Sequence, residues 1–407
     1  MPADLTVTVH IPFPAPAAGR LFALCLPVLL LGGGCGEAKG NADDDSVPVI
    51  HNTERGAWKP GEEWNLVEVA RIGSADDDGA AAFGNVVDFA LDGLGRVWVA
   101  DALRPELRVF DGRGTLVRTV GRRGAGPGEL ALVAGMDWDA RGRLWVLDAG
   151  NARFAVYDTS GAALATHRRT ATTTVVPWPG GFDAEGRLYD TGSILGTGGA
   201  LAEVVVRTDT ALERADTFRL PRFQPRMFET ARGDARRREV AQVNVPFTGT
   251  QVWRVDRDGG VWVAETERYR LERFDFGGRK TRAVERESEP LSVTREERDR
   301  MLEGYLAFER KGGHVDASKI PRSHPALNSF FYAGGYLWAQ PSYRAGTLPS
   351  LDVFEPDGRY LGRIQAPVRI LAEPAPVVRG DRMAALTRDA NDVPVIVLLE
   401  IRKSLTR

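Results

Sequence analysis

Three sets of residues in this chain are of types that chemistry needs. The run Gly121–Leu130 (GRRGAGPGEL) sets four glycines beside two arginines, a composition that could cradle an anion. Four histidines, His51, His167, His314 and His324, could ligate a metal with help from carboxylates. Asp137, Gln251 and Arg254 are polar residues close to apolar runs. Each set meets an obstacle. A phosphate loop needs Gly-Lys-Ser/Thr ahead of a helix, whereas here Pro127 precedes an apolar extended segment. The histidines do not recur at equivalent positions, and His314 and His324 share one segment with no third ligand evident. The serine nucleophile pattern G-x-S-x-G is absent. No catalytic residue, metal or cofactor is predicted.

The elements that must position these residues are repeated. Asp92, Trp98 and Asp111 recur with the same offsets as Asp139, Trp145 and Asp158, and again as Asp256, Trp262 and Asp275. Asp183 and Tyr189 form a looser copy, and two degenerate copies span 330–358 and 377–402. Segments such as RVWVAD and LRVFD are short, apolar, and rich in β-branched and aromatic residues, which reads as strands. Between them stand D-x-x-G turns with Asp first and Gly fourth, as a type I turn prefers. A four-stranded meander repeated roughly every 45 residues predicts an all-β fold, a β-propeller. Six four-stranded antiparallel blades fall at about 83–121, 130–169, 172–220, 243–287, 326–366 and 368–403. The last has three evident strands, and WNLVEVARIG (64–73) is the N-terminal strand that should close the ring. The repeated tryptophans read as blade packing, and the turn aspartates as backbone acceptors.

The repeats resemble those of six-bladed propellers with NHL-type repeats. They are more similar to a bacterial exported and lipid-anchored group with a G-x-G-P-G-E segment after the first full blade, here Gly124–Glu129. The resemblance covers residues 48–403 and implies the fold, not an activity.

Upstream, Leu21–Leu31 is an apolar run too short to span a bilayer, followed by Gly32-Gly33-Gly34-Cys35. This resembles a bacterial lipoprotein signal, with Cys35 as the lipidation site. Gly32 stands where that pattern has Leu, and the leader before Arg20 is longer and poorer in charge than the pattern expects, which leaves the true start open. Residues 1–35 are read as the signal, 36–60 as a flexible tether and 61–407 as the propeller. By resemblance to other lipoproteins, Gly36 after the cysteine, in place of Asp, would permit outer-membrane sorting, and the propeller is expected to face the periplasm or the cell surface. Net charge is −2, which gives no nucleic-acid signal, and membrane attachment is expected through the lipid anchor alone.

Function is therefore sought in what does not repeat. With strands a to d running outward, the a–b and c–d turns are tight and lie on one face. The b–c loops and d–a crossings lie on the other. The glycine run, the insertions at 221–242 and 288–325, and the b–c loops at 191–202 and 340–350 all belong to that second face. A protein, peptide or glycan ligand is expected there. The candidate binding residues are Arg122, Arg123, Glu129, Asn151, Arg153, Glu265, Tyr269, Tyr343 and Arg344. The plainer reading of the glycine run is a hinge crossing from one blade to the next. Both insertions are expected to be helical. The first carries Arg232, Arg236, Arg237 and Arg238, read as a solvated face or as an attractor of acidic ligands. The second starts at the capping box Thr294/Glu297. Asp137, Gln251 and Arg254 are candidates for lining the central channel. The alternative function is a metal-dependent hydrolase, lactonase or lyase at the channel mouth.

Overall fold

The first four repeats are each organised by a turn aspartate, whereas in blade five Trp338 Nε1 donates to Ala333 O instead. Asp92 Oδ1 accepts the N–H groups of Leu94 and Arg96, while Oδ2 accepts Arg96 Nε at 2.6 Å and Trp98 Nε1 at 3.0 Å. Asp139 does the same with Arg141, Arg143 and Trp145. Asp183 replaces the indole with the Tyr189 hydroxyl, and Asp256 accepts Trp262 Nε1. One carboxylate thus fixes a turn and aims the aromatic of the next strand into the blade.

The computed structural model describes residues 7–10, 47–73, 79, 81–171, 173–196, 201–209, 213, 215–234, 237–310 and 313–403. It is a six-bladed β-propeller. Blade one runs Val86–Leu91, Val97–Asp101, Arg104–Phe110, Leu116–Val120, and blade two Val133–Trp138, Leu144–Asp148, Arg153–Tyr157, Ala163–Arg168. Blade three comprises Gly181–Phe182, Leu188–Leu195, Leu201–Thr208 and Ala215–Arg219; blade four Gln251–Val255, Val261–Glu265, Arg270–Phe274 and Lys280–Arg286. Blade five is Leu327–Ala333, Tyr336–Pro341, Ser350–Phe354 and Tyr360–Gln365. Blade six takes Val377–Arg379, Arg382–Arg388 and Pro394–Arg402 from the C-terminal end and Asn65–Ile72 from near the start, in register from Arg402↔Asn65 to Ile396↔Ile72. The expected closing strand is in place.

There is no single core. Six apolar wedges each lie between two neighbouring blades. Trp98 and Leu107 of blade one pack with Leu144 and Tyr157 of blade two. Ile72, Phe110 and Ile396 fill the wedge between blades six and one. Every blade buries both faces only when both neighbours are present.

Three expectations are corrected. The first insertion is not helical: Met227–Asp234 and Arg237–Asn244 form an antiparallel hairpin. The spacing of Ala241, Val243 and Val245 has the two-residue period of a strand. The arginine side chains of this hairpin lie outside the described residues. The tether, drawn to residue 60, cannot extend that far. Val49–Asn52 is a fifth strand of blade four, parallel to Lys280–Arg286, because its β-branched residues cover an open sheet edge. The 191–202 loop is largely a longer hairpin, since Leu188–Leu195 pairs with Leu201–Thr208 throughout.

The second insertion is helical as expected. Helices Arg295–Gly304 and Leu306–Arg310 follow a complete capping box at Thr294 and Glu297. They pack on the hairpin through Phe228, Val243, Tyr305 and Phe308. Val7–His10 adds a strand parallel to Arg237–Asn244, inside the segment read as a signal. Cys35 and residues 11–46 lie outside the described residues. No helix among the described residues is long and apolar enough to cross a membrane.

Removal of residues 1–73 strips the fourth strand from blade six and unseats Leu66 and Ile72, both buried. The truncated chain should lose its cooperative melt and aggregate through the bare Pro394–Arg402 edge, measured by calorimetry and light scattering. Removal of residues 1–46 alone should leave the melt intact.

Candidate functional site

The nine loop-face candidates fall into two sectors. In the first, between blades one and two, the glycine run is latched to the b–c loop of blade two. Arg153 donates from Nη1 to Ala125 O (2.8 Å), from Nη2 to the carbonyls of Gly126 (3.0 Å) and Glu129 (2.7 Å), and from Nε to Asp148 (3.1 Å). Asn151 Nδ2 donates to Gly124 O and Asp148 Oδ2. Glu129 folds back to accept Gly126 N–H, and its carboxylate stands 2.0 Å from where a Cβ on Gly124 would lie. Gly124 is glycine because that space is taken. Hydrogen bonds from Gly126 and Arg122 hold the Glu129 carboxyl below its usual range. Arg122 pairs with Glu129 at the surface, and Arg123 is exposed. The run is thus a hinge with an internal latch.

The channel candidates do not meet as a trio. Asp137 accepts the N–H groups of Trp138 and of Phe182 on the next inner strand. Asp88, which the sequence reading missed, does the same for Phe89 and Met136. Gly135 leaves room for it: a Cβ there would lie 3.0 Å from Asp88 Oδ2. These two carboxylates lace adjacent inner strands together. Arg254 pairs with Glu373 and donates to Trp253 O, whereas Gln251 donates to Pro221 O on the loop face. Among the described residues, no three His, Cys, Asp or Glu side chains converge as a metal-ligand set.

The second sector holds a cleft of about 1880 Å³ between blades four and five. Glu265, Tyr269 and Arg344 line it, and so does Gln251; Tyr343 sits beside it, half-buried. Its walls come from parts of the chain that do not repeat. Phe247, in the crossing that carries the hairpin, and His324, in the helical insertion, meet edge to face at 5.0 Å. His324 Nε2 lies 3.3 Å from Glu297. The N-terminal strap forms another wall. Asn52 Nδ2 donates to Glu285 O and Gly358 O, its Oδ1 accepts Tyr360 N–H, and the next turns of strap bond Tyr360 and Leu361. The strap therefore stitches the outer edges of blades four and five before entering blade six.

The floor is a buried polar knot across the blade interface. Asp352, fully buried, accepts Tyr269 Oη at 2.6 Å, Tyr360 Oη at 3.1 Å, and Arg363 Nε and Nη2 at 2.7 and 3.0 Å. Burial, then the Asp352 charge, pushes the Tyr360 phenol up to about 12 and raises Tyr269 well above its usual value. Both stay protonated donors. The walls carry compensated charges, Lys280 with Glu272 and Arg270 with Glu272 and Glu285. Glu265 occupies the position that Asp101 and Asp148 fill in blades one and two. Those two are buried acceptors for the preceding crossing, at Gly84 and Asn85 and at Ala131 and Leu132. In blade four Thr266 Oγ1 takes over by accepting Thr250 N–H, and Glu265 is left exposed in the cleft. That substitution was readable from the repeat alignment. The Asp352 knot was not, because its members come from two blades with no local period.

A family model described as a 6-bladed beta-propeller matches residues 87–191. No curated protein matches the sequence. Among solved structures, the chain is similar to a Bacteroides fragilis protein described as exported, at 12% identity and TM-score 0.47, over 88% of this chain and 100% of that one. A member of the duf4221 family from Bacteroides vulgatus gives 12% identity and TM-score 0.45, over 84% and 99%. Virginiamycin B lyase from Staphylococcus aureus gives 10% identity and TM-score 0.41, over 84% and 100%. Likeness of this order carries no activity across.

Two predictions follow from the latch and the lacing carboxylates. Arg153→Ala strips donors from three carbonyls and from Asp148, and should cost about 1–3 kcal/mol in urea unfolding, whereas Arg122→Ala should cost little. Burial, opposed by the backbone N–H groups, pushes Asp88 from 3.8 up to about 8 and Asp137 up to about 6. A raised carboxyl holds a native-state proton that the unfolded chain has lost, so stability falls as pH rises from 3.8 through those values. Thermal melts should therefore drop between pH 6 and 8, and Asp88→Asn should flatten that slope.

Proposed function

We propose that this protein is an exported, lipid-anchored propeller that binds a protein, peptide or glycan ligand in the cleft between blades four and five. Export and anchoring rest on the apolar run before Cys35 and its resemblance to a lipoprotein signal. The observation that carries the binding reading is convergence. The crossing with the hairpin, the helical insertion, the blade-five b–c loop and the N-terminal strap all contribute to one cleft. Rigid repeats holding variable walls around a concave, polar-lined space is the usual arrangement for a ligand site.

The chemistry available there is recognition. Glu265, Arg268 and Arg344 are exposed around the cleft, over a fixed floor. Such an arrangement reads the charge pattern and shape of a ligand without transforming it. The combined variant Glu265→Ala, Arg268→Ala, Arg344→Ala should keep the wild-type melting temperature and lose at least about tenfold in ligand retention from envelope extracts. Arg122→Ala with Arg123→Ala should retain ligand normally. The reverse pattern would place the binding face at the glycine run.

A further inference from the structure

The floor of the cleft carries a positive charge that the protein leaves without a hydrogen-bonded counter-ion. Asp352 is already filled by four donors from Tyr269, Tyr360 and Arg363. Arg286 approaches it only to 3.6 Å. The Arg286 guanidinium lies 4.5 Å from the Tyr360 ring centre and 5.5 Å from that of Tyr269, and its side chain is 5% exposed. It donates to two backbone carbonyls, those of Glu287 and Glu54, and its buried Nε has no acceptor. Arg286 nevertheless lines the cleft. A guanidinium held on aromatic faces presents a planar fork of donors that fits a carboxylate. Leaving such a group desolvated with one donor unmet is costly unless something else completes it.

The outer part of the cleft carries both signs, with Arg268 and Arg344 exposed there beside carboxylates. Glu265, Glu287 and Glu289 are exposed and make no ion pair among the described residues, in contrast to the paired Glu272 and Glu285 of the walls. The cleft therefore has at its floor a guanidinium with an unmet donor, only distantly paired with Asp352, and free carboxylates among the groups further out.

We propose that the cleft receives a peptide carboxylate on Arg286, with the peptide's basic groups lying against Glu265, Glu287 and Glu289. The proposal rests on the reading of this cleft as the binding site and names the ligand chemistry it takes. The carboxylate is a chain terminus or an acidic side chain; a phosphate group is the other anion a guanidinium could hold.

The test is calorimetric titration of the full protein with a tripeptide of two lysines and a free C-terminal carboxylate, with its C-terminal amide, and with inorganic phosphate. The free acid should bind, the amide at least about tenfold more weakly, and phosphate should not compete. Arg286→Lys, which keeps the charge and loses the fork, should weaken the acid by about tenfold and leave the amide unchanged. If that variant fails to fold, the three titrations of the native protein decide alone. Equal binding of acid and amide overturns the carboxylate assignment while leaving the cleft as a peptide site. Competition by phosphate overturns it in favour of a phosphate group. Binding of neither peptide overturns the proposal, and the retention assay on the triple cleft variant then decides separately whether the cleft binds at all.

Discussion

Everything in this molecule depends on one strand pairing, that of Asn65–Ile72 on Pro394–Arg402. The apolar interior is divided into six wedges, each shared by two blades, so no blade can be satisfied alone. A linear array of such blades would leave two apolar faces bare. Joining the two ends of the chain in one sheet turns the array into a ring and removes both faces at once. The chain that supplies this strand has already run along the edges of blades four and five. The N-terminal strap is therefore part of the closure and, at the same time, a wall of the cleft.

A ring held this way is stiff at blades one to four, because the turn aspartate ties its turn, an arginine and an aromatic into one unit. That stiffness leaves the loop face free to vary. The variation is uneven. Between blades one and two the loop residues are consumed by mutual bonds, with Arg153, Asn151 and Glu129 all spent on the glycine run. Between blades four and five the hairpin, the helices and the strap stand around an open space. Its floor is fixed by the Asp352 knot, and among its outer residues Glu265, Glu287 and Glu289 make no ion pair with the described residues. Recognition needs that combination of a rigid base and uncommitted side chains.

The ring was legible in the sequence because its signals are local and repeated. Asp, Gly and Trp recur at fixed offsets, and each offset reports a turn and a strand that neighbouring residues alone determine. The closing strand was legible because Ile72-Gly73 repeats the ending Val120-Gly121 of an outer strand. The first insertion was misread because its arginines suggested a helix face while the spacing of Ala241, Val243 and Val245 set a hairpin. The strap was taken for tether because Val49–Asn52 is short and has meaning only against the edge of blade four. At the site, Glu265, Tyr269 and Arg344 could be picked out as loop residues that break the repeat. Arg286, Asp352, Tyr360 and Arg363 could not, since their meeting depends on how two blades pack and leaves no spacing to read. Asn151 and Arg153 were picked out for the same reason as Glu265, yet their bonds are all internal; sequence position gives the face, and only geometry gives the partners.

The account stands or falls on which sector of the loop face meets a ligand. Photo-crosslinking reads this directly, with a benzophenone side chain installed in place of Glu265 in one protein and in place of Arg122 in another, each irradiated in intact cells. The account predicts a discrete adduct from position 265 and none from position 122. An adduct from position 122 with none from position 265 would contradict it.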